Sequence, residues 1–408
     1  MRQLRIAQLS KDYSAKGGVG TYVRSLCTAL GADGHEVIVI HADPGMPLPP
    51  PGVAGQFYVE GFDKFGSKSD SRRSASQVIE ILKAVSPDIV HIQANNNFLL
   101  EMEVHQCFPV IKTLHVYDFC PSGNKFHHAL GKVCHHPTGP LCVARMGYKR
   151  CILSKRPSVI WRLYQRCVEA NRNNASYSKL IVASEYVKQQ AMSSGYPASQ
   201  IEVVPYFTEL PVLSPTVDNG AKTILFVGRV VPEKGLEHLL SALSLMRTPC
   251  RLIVAGDGPD LSRVKRLAHR LKVDRCIEFA GWTDRKLLLQ LYREALVVVI
   301  PSLWPEPFGI VGLEAMSFAK PVVAFKIGGI PEWLENEITG FLITPYDVKE
   351  MADKITYLLE RPDVAHEMGL RGQKRVEERF NEETHITRLL EIYREVSDGR
   401  TQPSALAS

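Results

Sequence analysis

Short runs of β-branched and other apolar residues recur along the chain, bounded by glycine, proline or charged residues and separated by helix-like segments. A first series lies at Arg5 to Leu9, Val37 to Ile40, Ile89 to Gln93, Val110 to His115, Leu180 to Ser184 and Ile201 to Pro205. A second lies at Thr223 to Gly228, Arg251 to Gly256, Ile277 to Gly281, Val297 to Pro301, Pro321 to Phe325 and Phe341 to Ile343. Short strands alternating with helices predict βαβ units and parallel sheets. The fold class expected is α/β, with two doubly wound Rossmann-like domains facing a cleft. Between the series, Pro205 to Ala221 carries Pro205, Pro211 and Pro215 with little periodic pattern. Residues 1–205 are therefore read as the first domain, 206–221 as a linker and 222–380 as the second domain. Residues 381–408 are read as a final helix, about Glu382 to Val396, and a frayed tail.

A chain of 408 residues exceeds what one hydrophobic core sustains, which agrees with two domains. Its 45% hydrophobic and 23% charged residues exclude the disordered, collagenous and coiled-coil classes. No apolar run suits a signal peptide or a membrane span. The nine cysteines are unevenly spread, which favours a reducing, cytoplasmic location. The net charge of +6 is modest, but Arg145, Lys149, Arg150, Lys155, Arg156, Arg162, Arg166, Arg172 and Lys179 face only Glu169 over one stretch. Trp161, Tyr164 and aliphatic residues interleave them. This composition fits a helix on an anionic membrane surface, at the inner face of the membrane. It fits a solvated helix face with snorkelling side chains equally well.

Ligands of doubly wound sheets bind beyond the carboxyl ends of the strands, so the loops there carry the chemistry. The segment Phe226-Val-Gly-Arg-Val-Val-Pro-Glu-Lys-Gly235 sets Gly228 and Arg229 just after a strand, and Lys234 just before a helical stretch, Leu236 to Leu245. A guanidinium and an ammonium placed so suit a diphosphate, although such cations are often merely solvated. In Pro301-Ser-Leu-Trp-Pro-Glu-Pro-Phe-Gly-Ile-Val-Gly-Leu-Glu-Ala-Met316, Glu306 and Glu314 flank the Phe308-Gly309 turn, from which a helix over Ile310 to Phe318 starts. Free backbone N–H groups of Gly309 to Val311 would donate to a phosphate. Glu314, a turn into the helix, would accept both hydroxyls of a ribose, and Glu306 would reach a sugar hydroxyl. The alternative for the two acids is a pair of surface carboxylates.

The Gly-Arg…Glu-Lys-Gly loop, the Gly256-Asp-Gly-Pro259 turn, Glu306 spaced from Glu314, and Gly328-Gly-Ile-Pro-Glu332 together resemble the retaining glycosyltransferases of family 4, of the GT-B fold. The resemblance covers nearly the whole chain and is strongest from Phe226 to Ile343. It implies that Glu314 binds the nucleotide ribose, Glu306 contacts the donor sugar, and Arg229 and Lys234 bind the diphosphate. It also implies a metal-independent reaction, requiring no cofactor, with retention at the anomeric carbon. The front-face route, in which the leaving phosphate oxygen helps deprotonate the acceptor, is the mechanism it implies. Lys16-Gly-Gly-Val-Gly20 opens a helix of about Thr21 to Leu30, and in similar enzymes this loop, here with Gly17 and Gly18, reaches over the donor phosphates. A plain glycine turn is the alternative. His115, at a strand end facing the proposed cleft, resembles the family's histidine that touches the donor sugar. The usual aspartate directly after it is missing, since the sequence is His115-Val-Tyr-Asp118. A structural histidine is the other reading.

A dinucleotide-dependent oxidoreductase would need G-x-G-x-x-G directly after the first strand. Gly18-Val-Gly-Thr-Tyr-Val23 lacks the third glycine and begins well past that strand. A catalytically inactive sugar-nucleotide-binding protein would be expected to lose one of Arg229, Lys234, Glu306 or Glu314, and all are present. Cys120, Cys134, Cys142 and Cys151, with His127, His128, His135 and His136, form a Cys/His-rich insertion over about 119–151. They suit a structural Zn²⁺ or buried free thiols. Some members of the resembled family carry such an insertion, which marks it as shaping the acceptor side. The expected partners are a nucleotide-diphosphate sugar as donor and a saccharide or lipid-linked saccharide as acceptor, with no nucleic acid. The process expected is cell-surface polysaccharide or glycolipid synthesis.

Overall fold

The computed structural model describes residues 2–14, 17–44, 49–62, 68–95, 97–152, 154, 156–172, 174–208 and 222–399. Lys16, Lys155, most of the expected linker and the tail lie outside them. The first domain runs through β1 (Arg5–Ser10), α1 (Gly18–Ala32), β2 (Glu36–His41), β3 (Val53–Tyr58), α2 (Lys68–Val85), β4 (Ile89–Ala94), α3 (Phe98–Cys107) and β5 (Val110–Thr113). It continues through β6 (Phe126–His127), β7 (Lys132–Val133), α4 (Leu141–Tyr148), α5 (Pro157–Arg172), β8 (Lys179–Val182), α6 (Glu185–Met192) and β9 (Ile201–Val203). Its sheet has the order β3-β2-β1-β4-β5-β8-β9, with parallel pairing throughout.

The second domain comprises β10 (Thr223–Val227), α7 (Leu236–Leu245), β11 (Arg251–Ala255), α8 (Leu261–Arg270), β12 (Ile277–Gly281), α9 (Arg285–Glu294) and β13 (Val297–Ile300). It is completed by α10 (Ile310–Ser317), β14 (Val322–Phe325), α11 (Ile330–Trp333), β15 (Gly340–Ile343), α12 (Val348–Glu360) and α13 (Pro362–Arg379). This sheet is also parallel, in the order β12-β11-β10-β13-β14-β15.

The apolar runs coincide with strands because the sheets are covered on two faces and their inner strands are buried, as in Val297–Ile300. Strand β3 is absent from that reading. It lies at the sheet edge, half exposed, and its Val-Ala-Gly-Gln-Phe-Tyr sequence lacks an apolar run. The hairpin β6–β7, inside the Cys/His-rich insertion, is too short to leave a periodic signal.

The last helix, α14 (Glu382–Gly399), follows the second domain in sequence but packs on the first, against α1 and β4. The hydroxyl of Tyr393 lies 2.7 Å from His91 Nδ1 and accepts from Gln8 Nε2 at 3.1 Å. His385 Nδ1 donates to the Pro205 carbonyl at 2.7 Å, so its Nε2 accepts from the Tyr22 hydroxyl at 3.0 Å. On the surface, Lys179 pairs with Glu202 and Glu395, which removes it from the basic stretch described above. From this seam the rings of Tyr22, Tyr206, Phe308 and Phe380 follow one another at 4.9, 5.9 and 5.7 Å between centroids, so the apolar interior continues from one domain into the other.

Replacing Tyr393 with Phe deletes a fully buried hydroxyl, leaving buried polar partners on His91 and Gln8. The expected cost is about 1–3 kcal/mol, read as a lower thermal unfolding midpoint; an unchanged midpoint would show that the cluster does not hold the helix.

Candidate active site

Between the domains lies a cavity of about 410 Å³, of the size that takes a cofactor-sized ligand. Its walls come from the carboxyl ends of strands in both sheets. Gly17 and Gly18 follow β1, Phe207 and Thr208 follow β9, Gly228 and Arg229 follow β10, Gly256 follows β11, and Trp282 follows β12. Ile310, Val311 and Glu314 on α10 complete it.

The two glycine loops of the second domain are pressed together. Gly228 N–H donates to the Ala255 carbonyl at 3.0 Å and Val230 N–H to the Asp257 carbonyl at 2.9 Å. A Cβ on Gly256 would stand 1.9 Å from the Gly228 oxygen, and its φ of 156° is one that side chains disfavour. Gly256-Asp-Gly-Pro259 thus supports the backbone that presents Arg229.

Two helices begin at the cavity. Helix α1 starts at Gly18 rather than Thr21, with Gly17 as a cap that offers no side chain. A side chain at Gly17 or Gly18 would meet no atom within 4 Å, so open space faces their backbone. Helix α10 starts at Ile310 with Gly309 as a cap, again without a side-chain bond. Both N-termini keep N–H groups and positive dipole ends for an anion, and exposed Arg229 adds a full charge beside them. Glu314 is on the wall of the cavity, its Oε2 accepting from the Tyr292 hydroxyl at 2.7 Å. That bond orients the carboxylate. Tyr292 and Trp282 were not singled out in the sequence; Trp282, 62% exposed directly after a strand, was the signal to follow.

Lys234, Glu306, Phe308 and Gly309 stand off the cavity lining. Lys234 Nζ donates to Glu306 Oε1 at 2.6 Å and sits 5.2 Å from the Trp304 ring centroid. Glu306 is buried, so its charge is held by this pair. Its loop is fixed from both sides. Gly329 N–H donates to the Glu306 carbonyl at 2.8 Å, while Ser184 Oγ donates to the Pro307 carbonyl at 2.5 Å and the Tyr117 hydroxyl to that of Pro305. A Cβ on Gly328, whose φ is 58°, would lie 2.3 Å from the Glu306 oxygen. Glu332, ending the Gly-Gly-Ile-Pro-Glu motif, accepts from Glu185 and Tyr186 N–H at 2.9 Å each and caps α6 across the domain boundary. Phe308 is buried between Tyr206 and Phe380 and is a packing residue.

His115 does not face the cavity. It is buried behind Tyr22 and Tyr206, its Nε2 donating to Gln93 Oε1 at 2.9 Å and its Nδ1 accepting from the Tyr206 hydroxyl at 2.5 Å. Both ring nitrogens are occupied, and burial pushes its pKa down to about 3. Asp118 does not replace the missing neighbour, because it lies 3.6 Å from Lys112 Nζ, which also binds Glu101. Cys120, Cys134, Cys142 and Cys151 are free thiols around a small separate cavity in the insertion. Among the described residues, no three His, Cys, Asp or Glu side chains stand in an arrangement ready for a metal ion.

His91, His115 and His385 are all held neutral by burial, His385 to about 4. Unfolded, each takes up a proton near pH 6.5, so acid favours the unfolded chain. Stability present above pH 6.5 is expected to fall between pH 6.5 and about 4, and His385→Asn should flatten that slope. Unfolding midpoints recorded across this range check it; a slope identical in the variant would exclude His385 as a source.

The chain matches two family descriptions, "Glycosyltransferase Family 4" over residues 16–210 and "Glycosyl transferases group 1" over 214–375. It is 32% identical to the glycogen synthase of Mycobacterium tuberculosis over 45% of each chain. It is 35% identical to the alpha-maltose-1-phosphate synthase of Mycolicibacterium smegmatis over 44% of this chain and 50% of that one. The chain thus spans half or less of the length of these curated relatives. Its fold is that of a sucrose-phosphate synthase from Thermosynechococcus elongatus, with a TM-score of 0.73 and 23% identity over 98% of this chain and 100% of that one. It is also that of HepE from Anabaena in complex with UDP, with a TM-score of 0.70 and 20% identity over 96% and 100%. With two parallel-sheet domains, a cavity at their strand ends and both family matches in sequence order, the chain belongs to the group 1 glycosyltransferases of the GT-B fold.

Proposed function

We propose that the protein is a retaining glycosyltransferase that moves a hexosyl group from a nucleotide-diphosphate sugar to a saccharide or lipid-linked saccharide acceptor. The observation that carries this reading is the convergence of two uncapped helix N-termini, Arg229 and the oriented Glu314 carboxylate on one cavity. A diphosphate fits the positive end and a ribose the carboxylate, and HepE, of like fold, carries UDP. In this reading the leaving diphosphate lies across the starts of α1 and α10 beside Arg229. Lys234 supplies a second cation, and Glu306, held by that lysine, receives a hydroxyl of the donor sugar. Cationic charge develops at the anomeric carbon and anionic charge on the departing phosphate, so catalysis rests on positioning and fixed charge. The acceptor enters along the first domain, and the leaving phosphate oxygen takes its proton on the same face. His115 acts through Tyr206, as a positioning residue.

The acceptor side also supports a membrane-presented substrate. Leu141, Tyr148 and Trp161 are exposed on α4 and α5, with Arg150, Arg156 and Arg162 exposed near them. Among the described residues no helix is long and apolar enough to cross a membrane, so contact would be at the surface. The setting proposed is cell-surface polysaccharide or glycolipid synthesis.

The deciding measurement is nucleoside-diphosphate release from UDP-, GDP- and ADP-sugars with a membrane extract as acceptor source. One donor should be consumed, and Lys234→Ala or Glu306→Ala should each lower the rate by about 10²–10³. Nucleotide binding without turnover of any donor would instead identify a catalytically inactive sugar-nucleotide-binding protein. A product anomer inverted relative to the donor would refute retention. Sedimentation with anionic liposomes should weaken when Arg150, Arg156 and Arg162 are neutralised together, and unchanged binding would remove the membrane role.

A further inference from the structure

We infer that the Cys/His-rich insertion holds one structural Zn²⁺ through Cys120, Cys134, Cys142 and Cys151. These four of the nine cysteines line a single cavity of about 20 Å³, enclosed by Phe126 and Met146. That volume is on the order of one small sphere. The thiols come from four separate pieces of backbone: the loop after β5, the residue after β7, the first turn of α4 and the loop after it. Packing alone gives four scattered pieces of chain little reason to bring a sulfur each to one point. Four soft thiolates around a small centre are the ligand set of a closed tetrahedral zinc site.

The insertion has little regular structure of its own. Its hairpin has two residues in each strand, and the buried apolar cluster beneath α4 consists of Met146, Cys151 and Ile160. Structure this slight is ordinarily held by a metal or by disulfides, and the cysteines are free. His127 supplies the outer support such sites use, its Nδ1 lying 3.0 Å from Cys151 Sγ, where an N–H would donate to a thiolate. The sulfurs surround the cavity without yet meeting the coordination arrangement of a metal. Binding therefore draws them inward, to Zn–S bonds of about 2.3 Å, and releases the thiol protons to solvent.

The inference does not rest on the glycosyltransferase reading, but it has a consequence for that site. The segment so fixed lies against the second domain. Trp304 Nε1 donates to the Asn124 carbonyl at 2.9 Å, Phe126 packs in the second domain's core, and the Tyr346 hydroxyl donates to the Gly131 carbonyl. Trp304 is the ring beneath Lys234. A metal here braces the wall beside the Lys234–Glu306 pair from a distance, without touching substrate.

The test is elemental analysis of the full chain, produced in zinc-supplemented medium and desalted. About one zinc per chain is expected, with Cys120, Cys134, Cys142 and Cys151 protected from alkylation in the native protein until a mercurial releases the metal. Cys134→Ser with Cys142→Ser should lose the zinc, Cys107→Ser should keep it, and His127→Ala should weaken affinity about 10–100-fold. Zinc below about a tenth of an equivalent, iron in its place, a disulfide among the four, or full zinc retention in the double variant would each overturn the inference. The native metal content and alkylation pattern decide the matter even where a variant fails to fold. Nucleotide binding measured on the same zinc-free or zinc-loaded protein separates this outcome from any failure of the proposed activity.

Discussion

A short set of buried hydrogen bonds joins the end of the chain to its beginning. Tyr393 meets His91 and Gln8, Gln93 links Gln8 to His115, and His385 joins Tyr22 to the Pro205 carbonyl. In an interior from which water is excluded, each of these groups is costly if left alone, so they are satisfied together or not at all. Helix α14 is thereby held on the first domain although it follows the second in sequence. The chain crosses between domains twice, and Tyr22, bonded to that helix, is itself part of the cavity wall. The placement of the second domain's cavity loops relative to the first domain depends on this tie.

The second constraint is close approach of backbone. Gly256 against Gly228, and Gly328 against the Glu306 loop, bring main chains nearer than any Cβ allows. These glycines do not touch the cavity's ligand space through side chains. They set the height of Arg229 and Glu306, and Glu332 then carries the same motif across the boundary by capping α6. A loop motif that looks like ligand chemistry is thus in good part domain-joining structure.

Electrostatics at the site divides into two zones. Arg229 and two helix N-termini offer positive potential to the cavity, whereas Lys234 and Glu306 satisfy each other in a more buried place beside Trp304. The first zone suits a strongly charged group arriving from water. The second suits recognition of a polar neutral group, because a paired and desolvated carboxylate gains from a hydroxyl donor without a further charge to bury.

The α/β class, the positions of most strands along the chain and the starts of α7 and α10 were legible in the sequence, because they follow from local periodicity and from glycine and proline punctuation. Gly17, Gly18, Gly228, Arg229, Ile310 and Glu314, which line the cavity, were legible too, since a loop after a parallel strand must point to the same edge of the sheet whatever surrounds it. Other features depended on groups distant in the chain. His115 ends up where its sequence position puts it, at the end of β5, yet Tyr206 and Gln93 take both its nitrogens and turn a candidate for sugar contact into a buried support. Tyr292 behind Glu314, the docking of α14 and the meeting of four cysteines arise in the same way. Periodicity reports which face of an element is buried; which polar atoms meet inside is decided only when separate elements pack, because a buried hydrogen bond has no local signature in the residues on either side of it.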